Sequence, residues 1–186
     1  LPLADLSARG IRLANTHGNA RSVAEHVMAL LLSFYGQVCR FDADLRADRW
    51  HGFAAGEPLV ESRESIDGKR AAVLGTGAIG RESARMLQAF GVHTVGFRRS
   101  PGDAGAAFDE TRHDLRAAVE GAHMVVVALP ATPDTEGLID RDTIAAMQGA
   151  VLVNVGRGSI IDERALYEGL RDHVLRGACI DTWYQY

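Results

Sequence analysis

The sequence predicts an α/β fold built on a doubly wound parallel sheet. Short, almost unbroken apolar runs alternate with helical stretches, and a glycine turn joins the first run to its helix. RAAVLGTGAIGRESARMLQAFGVHTVGFRR, over Arg70–Arg99, reads as strand, turn, helix from Ile79 to Phe90, and second strand HTVGF. The runs MVVVALP, AVLVNVG and GACID continue the sheet, with helical stretches centred on Thr111–Glu120, Asp140–Met147 and Asp162–His173. Strands that are apolar along their whole length are covered on both faces, as parallel sheets are.

Upstream of the sheet, LPLADLSARG reads as a short helix and IRLANT as a strand. From Ala20 to Leu45, Val23, Val27, Leu30, Phe34, Val38, Phe41 and Leu45 recur at helical steps. One helix of about 26 residues, roughly 39 Å long, is expected there. Met28, Leu31, Leu32 and Tyr35 widen its stripe beyond what one sheet face needs. Two readings stay open: a helix that reaches a second domain or subunit, or a thoroughly buried core helix. Asp48–Gly68, with Trp50, Pro58, glycines and mixed charges, reads as a surface connection.

A length of 186 residues allows one large domain with a real core. The apolar share of 47% and charged share of 24% are ordinary for a globular protein. A formal charge of −4 and no basic stripe argue against a nucleic-acid partner. No signal peptide is evident, and no apolar run is long enough to span a bilayer. Cys39 and Cys179 have neither metal nor redox spacing, so reduced thiols and a cytoplasmic setting are expected. No His/Cys cluster has metal-ligand spacing, and no metal is expected.

The glycines give the first functional signal. Gly75 suits a tight turn out of the strand, Gly77 removes the Cβ that would block a pyrophosphate, and Gly80 allows close helix–sheet packing. The free amides of the helix start, at Ala78, Ile79 and Gly80, then face the phosphates together with the helix dipole. The motif follows an apolar strand and opens a helix, the context a dinucleotide-binding, Rossmann-type turn requires. An acid that would hold a ribose 2′-hydroxyl is expected about 20 residues on. Arg98, Arg99 and Ser100 stand there instead. Guanidinium groups grip a 2′-phosphate with fork-shaped, charge-assisted hydrogen bonds, so NADP is expected in preference to NAD. The plainer reading makes both arginines solvated charges at a strand end.

In doubly wound sheets, ligands sit outside the carboxyl ends of the strands. That rule selects Leu129, Pro130 and Thr135 after MVVVA, and Val155, Gly156 and Arg157 after AVLVN. It also selects Asp181 after GACI. Arg157, between two glycines, suits a bidentate clamp on a carboxylate; its plainer role is an exposed charge held by Asp162 or Glu163. Asp181 suits a carboxamide or a catalytic base, and equally a turn cap. Histidine is the expected proton donor for carbonyl reduction. His93, His123 and His173 precede strands, at the wrong end of the sheet, while His113 falls in a helical stretch and His51 in the connection. His17 and His26 flank the long helix's start and could approach a cleft, though a surface or core role is the simpler one.

NTHGNARSVAEHVMALLL, GTGAIG, ALPATPDTEGLID, VLVNVGRGSIIDERALYEGL and GACIDTW run in order over almost the whole chain. In these pieces the chain resembles the cofactor domain of the D-isomer-specific 2-hydroxyacid dehydrogenases. That family includes glyoxylate/hydroxypyruvate reductases, formate dehydrogenases and phosphoglycerate dehydrogenases. The resemblance implies hydride transfer between NAD(P)H and a small 2-oxo or 2-hydroxy acid. It implies that Arg157 binds the substrate's carboxylate and carbonyl, that Asp181 lies beside the nicotinamide, and that the Val23–Leu32 helix forms a homodimer interface. Residues 1–186 would be the NAD(P)-binding domain, with the family's roughly 100-residue substrate domain largely missing and little turnover by this piece alone. The family's glutamate would fall at position 186, where Tyr186 stands after Gln185, and its proton-donating histidine would lie beyond. Formate dehydrogenases carry glutamine at that slot, which keeps formate oxidation open. A dinucleotide-sensing dimeric scaffold, like the corepressors that share this fold, is the alternative of a different class.

Overall fold

Valine, leucine and alanine fill the strand centres because a sheet covered on both faces leaves none for water. The computed structural model describes residues 3–14, 16–50 and 63–185. In chain order its strands are β1 (Arg70–Leu74), β2 (His93–Phe97), β3 (Glu110–Arg112), β4 (Met124–Val127), β5 (Val151–Asn154) and β6 (Gly177–Ile180). They form a parallel six-stranded sheet in the order β3-β2-β1-β4-β5-β6. The chain winds outward from β1 in both directions, which opens a crevice above its carboxyl end.

The helices are α1 (Leu3–Ala8), α2 (Ala20–Gly36), α3 (Val38–Arg46), α4 (Ala78–Ala89), α5 (Leu115–Val119), α6 (Arg141–Ala146) and α7 (Glu163–Arg171). Asp114, Asp140 and Asp162 cap α5, α6 and α7, accepting from the backbone amides of Ala117, Thr143 and Ala165 at 2.7–2.9 Å. One face of the sheet packs Leu74, Val95, Val125 and Leu152 against Ala118, Ile144 and Leu166 of α5, α6 and α7. The other packs Val73, Met124, Val126 and Val153 with Val27, Leu31 and Leu87 of α2 and α4. Full burial of each large aliphatic side chain contributes about 1.5–3 kcal/mol.

Three expectations need correction. The single helix over Ala20–Leu45 is two helices, parted at Gln37, whose φ of 52° is left-handed. Its amide closes α2 by donating to the Phe34 carbonyl at 3.2 Å. The apolar spacing runs on through the break because periodicity registers side chains, not one residue's φ. Ala24, Val27, Met28, Leu31 and Tyr35 of α2 are buried, whereas α3 buries nothing. The strand expected at IRLANT is absent: residues 11–14 are irregular, and Asn15 lies outside the described residues.

The helix expected over Thr111–Glu120 shrinks to α5, because β3 takes its first residues. The sequence ETR is too polar to signal a strand, and electrostatics hold it at the sheet edge instead. Glu110 pairs with Arg70 of β1 at 3.0 Å and with His93 of β2 at 2.8 Å. Those hydrogen bonds, Arg70's first, pull its carboxyl down to about 2. His113 consequently sits between β3 and α5 rather than in a helix, with Nδ1 2.9 Å from the Arg98 carbonyl oxygen. Of the Asp48–Gly68 connection, residues 51–62, His51 and Pro58 among them, lie outside the described residues.

Candidate functional site

Three glycines shape the turn after β1, each differently. Gly75 has φ +105°, and a Cβ on it would stand 2.7 Å from the Ala128 carbonyl oxygen. A Cβ on Gly80 would collide with the Gly75 carbonyl, so α4 can approach the sheet only with glycine there. Around the Cβ position of Gly77 there is open space. Gly77 is the N-cap of α4, in extended conformation, and no side chain caps that end. The helix start at Ala78, Ile79 and Gly80 is thus an uncapped, sterically open cradle of the kind a pyrophosphate fits.

Loops leaving β2 and β4 flank this turn. At the end of β2, Arg98 and Arg99 part company. Arg98 donates from Nη1 to the Asp103 carbonyl at 2.8 Å, and its Nε is buried without a partner. Arg99 reaches the loop after β4, where Nη1 lies 3.0 Å from Asp134 Oδ2; both side chains are well exposed. Ser100 is exposed. After β4, half-buried Leu129 leads to exposed Pro130. The buried Thr135 hydroxyl donates to the Pro130 carbonyl at 2.7 Å and accepts from the Thr132 amide at 2.8 Å, which locks the loop.

The turn after β5 is braced from below. Asn154, 1% exposed, accepts from the Gly156 amide at 3.0 Å and donates to the Arg157 carbonyl at 3.1 Å. Val155 is buried, and a Cβ on Gly156 would stand 2.8 Å from the Leu129 carbonyl oxygen. Gly158 packs so closely on the Trp183 backbone that a Cβ there has no room. Arg157 is exposed between them, with Nη1 2.7 Å from the Gly156 carbonyl oxygen. Among the described residues it has no ion-pair partner. Asp162, its suggested holder, is engaged instead in capping α7.

Asp181 follows β6, its amide donating to the Asn154 carbonyl at 3.0 Å. Its carboxylate Oδ1 lies 3.2 Å from His26 Nε2 of α2, with both side chains about half exposed. Sequence reasoning passed over Asn154 and set His26 aside as a surface or core residue. The signal for Asn154 was a lone polar residue ending the apolar strand VLVN; nothing local links His26 to Asp181. Tyr186, at the position of the family's glutamate, lies outside the described residues, and Gln185 is exposed. Downstream of Asp181, burial pushes the Tyr184 hydroxyl up to about 12. Among the described residues, no group of three or more His, Cys, Asp or Glu side chains is placed to hold a metal. No described helix is long and apolar enough to cross a membrane.

The strand-end loops therefore bring Gly75–Gly80, Arg98–Ser100, Leu129–Thr135, Val155–Arg157 and Asp181 to one edge of the sheet. The chain is similar to several known dehydrogenases. D-3-phosphoglycerate dehydrogenase of Mycobacterium leprae is 36% identical over 187 residues, covering 95% of this chain and 33% of the relative. The Mycobacterium tuberculosis enzyme of the same name is 34% identical over 180 residues, with the same coverage. The chain thus spans about a third of the length of these curated relatives.

Among solved structures, NADPH-dependent glyoxylate/hydroxypyruvate reductase of Sinorhizobium meliloti superposes with a TM-score of 0.84 at 31% identity, over 100% of this chain and 57% of that one. An acyclic imino acid reductase in complex with NADPH and D-Arg gives 0.87 at 27% identity, over 100% and 58%. Residues 28–186 match the profile described as D-isomer specific 2-hydroxyacid dehydrogenase, NAD binding domain. The chain belongs to the D-isomer-specific 2-hydroxyacid dehydrogenase family and holds its NAD-binding domain.

Proposed function

We propose that this chain is the cofactor domain of an NADP-preferring dehydrogenase or reductase acting on a small 2-oxo or 2-hydroxy acid. The observation that carries this reading is Arg157, a guanidinium without an ion-pair partner among the described residues, at the sheet edge that bears the glycine turn. The uncapped start of α4 binds the pyrophosphate, and the Arg98–Ser100 segment meets the 2′-phosphate. Asp181 accepts from the nicotinamide carboxamide, with His26 steadying its carboxylate. When bound, the nicotinamide supplies hydride transfer at C4. Arg157 grips the acid's carboxylate and favours the charge that develops on the carbonyl oxygen.

The test is an assay of the complete protein against a panel of short 2-oxo acids, following NADPH consumption. Turnover of at least one acid is expected; none with any acid, under conditions where NADPH binds, contradicts the reading.

A homodimer is part of the same proposal. Leu32, Val38, Leu45 and Trp50 are exposed by 38%, 57%, 57% and 79%, large apolar groups that water disfavours. The family resemblance and this uncovered surface on α2 and α3 favour a second copy as its cover. Sedimentation equilibrium giving the mass of a single chain contradicts it. The free thiols of Cys39 and Cys179 fit a reducing, cytoplasmic setting, which cell fractionation tests.

A further inference from the structure

The Arg99–Asp134 ion pair spans the crevice between the loops after β2 and β4, which flank the glycine turn of β1. We propose that Asp134 is a specificity-determining residue: its carboxylate competes with the cofactor's 2′-phosphate for the guanidinium of Arg99. This rests on the reading that the Arg98–Ser100 segment meets that phosphate.

The two arginines at the end of β2 are not equivalent. Arg98 is turned onto the 101–105 loop by its bond to the Asp103 carbonyl, and its remaining Nε is buried. Arg99 has the exposed side chain, at 71%, and its guanidinium is the one held across the crevice. Asp134 engages Nη1, at the tip of the guanidinium. An end-on bidentate grip on phosphate uses that same Nη1, so the carboxylate and a phosphate held in that way compete for it.

The backbone that carries Asp134 has little freedom to follow Arg99 if the guanidinium turns. The Thr135 hydroxyl ties its loop to the Pro130 carbonyl, the Thr132 amide and the Thr132 carbonyl. A 2′-phosphate, with a charge of roughly −1.5 to −2 if it titrates as other phosphate monoesters do, must therefore take Arg99 from a carboxylate on a tied loop and then sit near that negative charge. A cofactor with a bare 2′-hydroxyl meets neither obstacle. Asp134 thus narrows the margin between NADP and NAD, and the ion pair keeps Arg99 ordered across the crevice when no phosphate is bound.

The test uses the adenosine half alone: titration of the chain with 2′,5′-ADP and with 5′-AMP, at matched salt. The proteins are wild type, Asp134→Asn, Arg99→Ala and the double variant. Asparagine keeps the side chain's shape and removes its charge. Because exposed ion pairs are weak, Asp134→Asn is expected to tighten 2′,5′-ADP by about two- to five-fold, with 5′-AMP unchanged. The gain should vanish when Arg99 is alanine.

Unchanged or weaker 2′,5′-ADP binding by Asp134→Asn overturns the proposal, as does an equal gain for both probes or a gain that survives Arg99→Ala. Equal binding of both probes by wild type separately refutes the NADP reading. In that case a 2′,5′-ADP preference that emerges only in Asp134→Asn still supports the competition, and its absence overturns that too.

Discussion

Gly77→Asp is expected to abolish dinucleotide binding while leaving the fold intact. Gly77 lies at φ −75° and ψ −165°, a region open to any residue, and its Cβ position is free of neighbours. Aspartate is a favoured N-cap, better than glycine by a few tenths of a kcal/mol, roughly. Its carboxylate would accept from the amides at the start of α4 that the pyrophosphate needs, and would repel the phosphates as well. Losing one or two hydrogen bonds to a charged group weakens binding by about 100-fold or more. Calorimetry should show that loss for NADPH and NADH alike, with a thermal midpoint no lower than wild type. Retained affinity would mean that the phosphates do not sit at this helix start. Gly80 offers the contrast: any side chain there meets the Gly75 carbonyl, so its substitution should cost stability before it costs binding.

Arg157→Ala carries the other large effect, on chemistry rather than on cofactor. The guanidinium projects from a turn that Asn154 braces on both sides, so its backbone stays in place when the side chain is cut. Truncating one partner of a hydrogen-bonded charge pair costs about 2–5 kcal/mol. In the complete enzyme, kcat/KM for 2-oxo acid reduction should therefore fall by about 30-fold to several thousand-fold, with NADPH affinity nearly unchanged. Arg157→Lys should recover only part of the loss, since an ammonium offers a point charge rather than a fork. Steady-state kinetics on the three proteins decide it, and unchanged reduction by Arg157→Ala removes Arg157 from the substrate site.

How far the sequence could be read depended on which force holds each part. HTVGF, MVVV and VLVN are strands because burial selects apolar residues, and burial leaves a pattern. The glycine turn was legible because its steric demands are absolute at Gly75 and Gly80. β3 left no such trace, since ion pairs between Glu110 and residues on two other strands hold it. The break at Gln37 was hidden for a different reason: one left-handed residue redirects a helix without altering the spacing of its apolar side chains.

At the site, position along the strands located Arg157 and Asp181 correctly at the carboxyl edge. It could not reveal that Arg98 and Arg99 take different partners, because that depends on loops meeting in space. The His26–Asp181 contact was out of reach for the same reason, joining α2 to the end of the last described strand.

The most direct measurement is a calorimetric titration of this chain and its Arg98→Asp/Arg99→Ala variant with NADPH and with NADH, at matched salt. Expected is tighter binding of NADPH by the wild-type chain, with the variant losing most of its affinity for NADPH and little of its affinity for NADH. Tighter binding of NADH by wild type, or equal losses for both cofactors in the variant, would contradict the 2′-phosphate role given to these arginines.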